Sequence, residues 1–480
     1  MNRGWAARLG LLTSFALVAL VPGRALAFES EVRADTYAQA YQIRGPAGSS
    51  MISSSRITQT ISFGLIERPR ERRGITVSFR ARLRFDADFG EACLPNTTQC
   101  WRQNDPARPD RFVPLFNPRS MDLAYAYLDV AGIGRGALDV RLGRIFQTDA
   151  LGFFLFDGGR ARLNLGSYAT VEGFGGLETR SAFALSNGRF ERDGLIRADR
   201  ASWDPSLAPY VLTPSYAPAI GAAVETGTAI PVYARLAYRR VWSNEGLSEE
   251  KIGAALDASI TPWLRVFGDT VYSIPHQTVS LADASIEVRH RRGIRIALDF
   301  TRWRPVFDVA SIWSSFWSDP TDLYQLRTEF SLTRGLTLIA NPLARRYALG
   351  ESGSTTSGPA QTDRWNGGGT AAFVLRAPAY QASLRGSFEG GAVGLRGGVD
   401  AVAGWWIWAE FLRIDGRLSL WHVTDDLRPD RSGLSFGAVV GATVRLGTIA
   451  DLHADVEDDV NAYVGHRFRA MAVLSVRGVL

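Results

Sequence analysis

The stretch "ITVSFRARLRFD", residues 75 to 86, decides the fold. Ile75, Val77, Phe79, Ala81, Leu83 and Phe85 alternate without a slip against Thr76, Ser78, Arg80, Arg82, Arg84 and Asp86. A period of two is a β-strand whose two faces meet different surroundings. With three arginines on one face and hydrocarbon on the other, the question is which face meets the bulk.

The alternation recurs along most of the chain. Ile57, Ile61, Phe63 and Leu65 oppose Arg56, Thr58, Thr60 and Ser62; Leu138, Val140 and Leu142 oppose Asp139 and Arg141; Leu163 and Leu165 oppose Arg162. Met121, Leu123, Tyr125 and Tyr127 read as one face of a strand, opposite Asp122, Ala124 and Ala126. The same pattern runs through 251–261, 294–301, 324–332, 380–389 and 434–446, with Gly, Pro, Asn and Asp clusters between the runs. No long segment carries a helical period.

A soluble β-protein points its apolar face inward, and a membrane barrel points it into lipid. Strand number separates the two. Roughly 16 to 20 strands of about 9 to 11 residues are expected, too many for a single soluble barrel to fill with side chains. Soluble sandwiches and propellers are the competing architecture. The aromatics favour the barrel: Trp405, Trp406 and Trp408 in "GWWIWAEF", and Trp313 and Trp317 beside Phe316, fall where headgroup-level girdles form. Adjacent Trp405 and Trp406 must point to opposite faces.

With Arg80, Arg82 and Arg84 in a wet lumen, the register is strongly set. A one-residue slip would move three arginines into hydrocarbon, at ~2 to 4 kcal/mol each near the midplane. An unpaired edge is equally costly in lipid, so the sheet must close. The fold class expected is therefore an all-β, closed, antiparallel transmembrane barrel of about 18 strands with long outer loops.

The ends agree. Arg3 and Arg8, an apolar run from Leu9 to Val21, and Ala25-Leu26-Ala27 read as a secretory signal peptide over 1–27, leaving a barrel domain over 28–480. "RFRAMAVLSVRGVL" at the C-terminus alternates Phe468, Ala470, Ala472 and Leu474 with Arg467, Arg469, Ser475 and Arg477, and resembles the terminal strand by which outer-membrane barrels are recognised for assembly. The formal charge is +6, and only Lys251 is a lysine. Arginine forks suit paired, water-filled walls and the binding of carboxylate, sulfate or phosphate. Cys93 and Cys100, the only cysteines, bracket "LPNTTQ" and are expected to close a small disulfide loop after export.

The stretch 139–166, "DVRLGRIFQTDALGFFLFDGGRARLNLG", carries a family resemblance. A strand ending in Leu142-Gly143-Arg144, a short excursion, and Phe156-Asp157-Gly158 leading the next strand resemble a pattern in large porin-like barrels, including the alginate-export type. The resemblance implies a monomeric barrel with an arginine-lined conduit for an anionic polysaccharide.

The strand phases themselves nominate Arg56, Arg80, Arg82, Arg84, Arg141, Arg162, Arg295, Arg327, Arg385 and Arg445 as lumen-lining residues and candidate solute contacts. Interleaved carboxylates would pair with some of them and split the field. Loops 87–120 and 188–217 are the candidates for narrowing the lumen. The five histidines join no assignable serine or acidic motif. Asp455, Glu457 and Asp458 in "DLHADVEDDVN" form no EF-hand, and there is no P-loop, dinucleotide fingerprint or zinc spacing. Neither catalysis, a cofactor, a metal nor nucleic acid is indicated.

The function expected is an outer-membrane channel for polar, above all anionic or carbohydrate, solutes. Exopolysaccharide export with a periplasmic partner is a variant of this. The alternative is a structural or adhesive barrel plugged by its own loops.

Overall fold

The computed structural model describes residues 28–44, 50–67, 74–88, 91–93, 100–102, 122–179, 217–243, 246–290, 293–305, 320–348, 363–392, 394–408, 411–425, 432–461 and 465–479. The expected leader, 1–27, lies outside them.

Every strand belongs to one antiparallel sheet of 24. The strands are β1 (Phe28–Arg44), β2 (Ser50–Glu67), β3 (Thr76–Asp88), β4 (Glu91–Cys93), β5 (Cys100–Arg102), β6 (Asp122–Gly132), β7 (Leu138–Asp149) and β8 (Gly152–Leu165). Next come β9 (Ala169–Glu178), β10 (Pro218–Thr226), β11 (Val232–Ser243), β12 (Gly246–Thr261), β13 (Leu264–Ser273), β14 (Thr278–His290), β15 (Ile294–Trp303) and β16 (Thr321–Ser331). The last are β17 (Leu336–Tyr347), β18 (Arg364–Arg376), β19 (Tyr380–Gly391), β20 (Gly394–Trp408), β21 (Leu412–Asp425), β22 (Gly433–Leu446), β23 (Ala450–Asn461) and β24 (Gly465–Val479). Of the 24, β4 and β5 form a short hairpin against the end of β2, which leaves 22 in the wall. Each wall strand pairs with the next, and β1 pairs with β24 from Glu31↔Val479 to Arg44↔His466, so no edge remains open.

The expectation of about 18 strands is thus too low. The missed strands are those whose alternation is thinned by small residues, such as "ATVEGFGGLE" in β9, "PAIGAAVET" in β10 and "RWNGGGT" in β18. Glycine and alanine carry too little hydrophobic contrast to mark a face.

The outer surface is the hydrocarbon one. Leu142, Leu163, Leu236, Leu256, Leu298, Leu326, Leu384, Leu418, Leu434 and Val440 are exposed, while the arginine and carboxylate positions between them face inward and pair across strands. This inversion belongs to a transmembrane barrel of the bacterial outer membrane. Phe28 of β1, Val479 of β24 and the connections 68–75, 133–137, 166–168 and 262–263 share one end. The longer connections, 89–121, 179–217, 304–320 and 348–363, share the other, which is the extracellular side.

The alternation has one phase error on β6. The register slips between Arg82 and Leu83 of β3, so that Arg82 opposes Tyr125 while Leu83 opposes Leu123. This β-bulge turns Tyr125 and Tyr127 into the lumen, opposite to the face expected from the sequence.

Two predictions follow from the wall. Leu326→Arg, on the lipid face, is expected to lower stability in lipid by ~2 to 4 kcal/mol, whereas Gln325→Arg on the lumen face costs less than ~1 kcal/mol; urea unfolding in vesicles measures both. The backbone register sets Cys93 opposite Cys100, at a separation of the kind a disulfide can bridge. Unreduced protein is expected to take up no iodoacetamide by mass, and reduced protein two adducts; labelling without reductant would refute the bridge.

Candidate functional site in the barrel lumen

A barrel of 22 strands, ~4.8 Å apart and tilted by ~40°, is roughly 40 Å across its backbone. Side chains alone do not narrow such a lumen enough to discriminate small solutes, so the element that enters it matters most.

That element is the end of the β7–β8 hairpin. β7 pairs with β6 only from Val130↔Val140 to Ala126↔Arg144, and β8 pairs with β9 only as far as Phe156↔Glu178. Beyond these points, residues 145–155 have ladder partners only within the hairpin, ending at Asp149↔Gly152, and the Thr179 N–H donates to the Leu155 carbonyl at 2.8 Å where the hairpin departs. The hairpin leaves the wall at a row of three glycines facing one another: Gly143 opposes Gly158, and Gly158 opposes Gly176. A Cβ added at Gly143 would lie 2.3 Å from the Ala126 carbonyl oxygen, and one at Gly158 would lie 2.1 Å from that of Gly175. Gly143 also has φ +127°. The sheet can fold inward here because no Cβ stands in the crease. Arg144 seals the gap left on β6, donating to the Leu123 carbonyl at 2.9 Å and, through two nitrogens, to both Asp157 oxygens at 2.7 and 2.9 Å.

The folded hairpin buries an apolar underside. Ile145, Phe154 and Phe156 are fully buried against Ala219 and Val241 of the wall, and the Phe154 and Phe156 rings pack on Phe174 at 5.8 and 5.1 Å. At the tip, Leu151 packs with Ala223, Ala237 and Val271. Leu151 also occupies the space a Cβ on Gly253 would need, 2.7 Å away. The hairpin therefore lies across the inner faces of β9 to β13. Polar anchors fix its position. Arg239 donates to the Leu151 carbonyl at 3.1 Å and to Glu249 at 2.7 Å, with its guanidinium 4.5 Å above the Phe154 ring. Arg235 joins Asp149 of the tip (3.7 Å) to Glu172 (3.2 Å) and Glu225 (2.8 Å). A cavity of about 460 Å³ remains beside the tip, lined by Asp149, Leu151, Lys251, Asp269, Trp303 and Arg304.

The register puts all ten nominated arginines on the inner face. Arg82 lies 3.8 Å from Asp35 and donates to the Thr60 hydroxyl at 3.3 Å. Arg80 opposes Gly64 and Tyr127, Arg84 opposes Thr60 and Asp122, and Arg56 opposes Gln39 and Asp88. Most of the other arginines are held in cross-strand pairs. Arg141 bonds Asp129 and lies 4.4 Å over the Tyr127 ring; Arg162 pairs with Glu225. Arg295 reaches Glu329 at 3.3 Å and Glu287 at 3.7 Å, and Arg327 bonds both oxygens of Asp299 at 3.0 and 3.1 Å. Arg445 covers the Trp406 ring at 4.4 Å. Arg385 opposes Asp400, whose ion pair is with Arg417, and neither Arg385 nor Arg80 stands in an ion pair among the described residues.

The walls differ in charge. On β23 the carboxylates Glu457 and Asp459 are matched by Arg467 and Arg469, and Asp455 meets the His453 ring. On β3, Arg80, Arg82 and Arg84 follow one another at ~7 Å spacing; Arg82 lies 3.8 Å from Asp35, and Arg80 has no ion pair among the described residues. Beside them the Tyr125 ring touches Phe146 of the hairpin at 5.2 Å. Basic strand, tyrosines and hairpin therefore meet in one corner of the constriction.

Of the loops nominated for narrowing, 188–217 lies outside the described residues except for Ala217, and 87–120 is described only at its start and in β4 and β5. The hairpin was visible in the sequence as the excursion between Arg144 and Phe156; its inward direction was not. Two further readings change. Asp458 faces outward, beside His466, and so stands apart from Asp455 and Glu457. His453, which joined no motif in the sequence, stands between Thr443 (Nδ1 at 2.9 Å), set opposite it by the β22–β23 ladder, and Asp455 (Nε2 at 3.2 Å), two residues along its own strand.

No family model matches the sequence, and no curated protein matches it, so neither supports the alginate-export resemblance of 139–166. Solved structures similar to this one are outer-membrane porins. A BenF-like porin from Pseudomonas fluorescens Pf-5 is 8% identical, with 95% of this chain and 100% of that one covered at a TM-score of 0.43. OpdK of Pseudomonas aeruginosa, solved with vanillate, is 10% identical over 94% and 99%, with a TM-score of 0.44. OccAB3 of Acinetobacter baumannii is 9% identical over 94% and 99%, with a TM-score of 0.43.

Proposed function

We propose that this protein is a diffusion channel for small polar solutes, with anions favoured, and that selection occurs where the β7–β8 hairpin narrows the lumen beside Arg80 and Arg82. The neighbours Arg80 and Arg82 carry this reading. Most of the wall's other arginines stand against carboxylates and contribute little net field, whereas beside the constriction Arg80 has no ion pair among the described residues and Arg82 stands 3.8 Å from Asp35. Guanidinium forks replace part of an anion's hydration shell, and the low-dielectric wall lengthens their reach. Tyr125 and Phe146 offer an adjoining apolar surface, so an anion with a hydrophobic body suits the corner better than a bare ion. Transport of this kind needs no covalent step. The reading does not extend to polysaccharide export, which neither the arginine row nor the hairpin favours.

Reversal potentials in planar bilayers under a KCl gradient test the proposal, with chloride expected to permeate better than potassium. A cation-selective pore would refute the charge argument. The width of the barrel favours a second reading, because outer-membrane barrels of 22 strands are known with plugged lumens. Absence of any channel event across voltages would support the plug.

A further inference from the structure

On the wall far from the hairpin, near the extracellular end of β21 to β24, a pocket of about 270 Å³ opens toward the lumen. It is lined by Ser419, Trp421, Ser435, Asp459, Asn461 and Arg467 around Gly437. We propose that this pocket is a subsite for one neutral hexopyranose unit.

The polar groups suit a sugar better than an ion. The Arg467 Nε donates to Asp459 at 3.0 Å, and its Nη2 reaches both Asp459 and Glu457. Guanidinium and carboxylate are thus already paired, which discourages capture of a small ion. Side by side they present donors and an acceptor, the complement of a vicinal diol whose hydroxyls each give and take a hydrogen bond. Ser419, Ser435 and Asn461 add groups of both kinds. The pocket is smaller than the ~300 to 1,000 Å³ typical of drug-sized ligands, so it suits a ring of about a dozen heavy atoms.

The pocket is also built. The Trp421 indole lies across Gly398, where a Cβ would be 2.5 Å from the ring, and is tied to Asp400 by a hydrogen bond. Asp400 is held in turn by Ser419 at 2.6 Å and Arg417 at 3.1 Å. On the other side, Asp459 leans over Gly437, where a Cβ would lie 2.5 Å from its Oδ1. Trp421 thus leans from β21 over Gly398 of β20, and Asp459 leans from β23 over Gly437 of β22, leaving a recess above Gly437 between the indole and the carboxylate. The electron-rich indole gives the polarised C–H groups of a pyranose a surface to pack on.

The inference deepens the channel reading, and rests on it for any role in transport, but binding can be measured without current. The test is saturation-transfer NMR on the full mature chain in detergent, with D-glucose, D-galactose and D-mannose as probes and benzoate for comparison. At least one hexose is expected to bind in the millimolar range, and Asp459→Asn to weaken it at least about tenfold, the effect of losing a charge-assisted hydrogen bond. Ser435→Leu, which fills the recess without touching an ion pair, is expected to abolish binding even if Asp459→Asn misfolds. Arg80→Gln is expected to leave it unchanged. The proposal fails if none of the three hexoses binds, or if folded Ser435→Leu binds like the parent. Hexose binding without channel events would sink only the channel reading, and channel events without hexose binding only this one.

Discussion

Replacing Arg80, Arg82 and Arg84 together by glutamine is expected to lower the chloride-to-potassium permeability ratio at least about threefold, with unitary conductance little changed. The direction follows from the charge arrangement. Most arginines of the lumen are matched, so removing one also leaves a carboxylate unpaired. Within the β3 row Arg82 stands 3.8 Å from Asp35 and Arg80 has no ion pair among the described residues, so removing the row changes the net field at the narrowest section, where field lines are focused. Glutamine keeps the bulk and hydrogen bonding of the row, so the barrel is expected to assemble. A control triple of Arg295, Arg327 and Arg467 to glutamine removes the same formal charge from paired positions; if it shifts selectivity as far as the β3 triple, local concentration of charge is not the cause. Reversal potentials of the two variants decide the matter.

Removing residues 146–154 and joining the strands with two glycines is expected to raise single-channel conductance at least about twofold and to admit larger neutral polymers, because the hairpin covers the inner faces of five wall strands. The wall should survive the deletion, since β7 and β8 keep their pairing with β6 and β9 up to Arg144 and Phe156. The apolar faces of Ala219, Ala223 and Val241 would then meet water, so some stability is lost as well. Gly158→Val is a milder version. It places side-chain atoms in the crease, 2.1 Å from the Gly175 carbonyl oxygen at Cβ, and is expected to push the hairpin from its seat and raise conductance in the same direction. Polymer-exclusion measurements check both. An unchanged conductance in the deletion would mean that the narrowest point lies elsewhere.

Much of the barrel was legible in the sequence, for a physical reason. Each strand of a membrane barrel touches two solvents of opposite character, and that contrast is written locally, residue by residue. Arg80, Arg82 and Arg84 therefore announced their own face, as did the C-terminal strand with Arg467, Arg469 and Arg477. Strand number was less legible, because β9, β10 and β18 use glycine and alanine, which mark no face. The Tyr125–Tyr127 phase was misread because a bulge depends on a register slip against Arg82 and Leu83 of another strand. His453 was passed over for the same kind of reason, since Thr443 comes beside it only through the β22–β23 ladder.

The hairpin shows where sequence and structure part. Residues 139–166 could be read as strand, excursion and strand, with Gly143 and Gly158 in the motif. The glycines became a hinge only when pairing set Gly143 opposite Gly158 and Gly158 opposite Gly176.

By itself the sequence determined the class of fold, the side of the wall that faces lipid, and the charge that lines the interior, because each follows from the cost of placing one residue in hydrocarbon or water. Only the tertiary structure decided how many strands close the ring, that the hairpin turns inward, and which acid or ring each described arginine meets. Those depend on which residues meet across strands, and such meetings are set by ladders between distant parts of the chain.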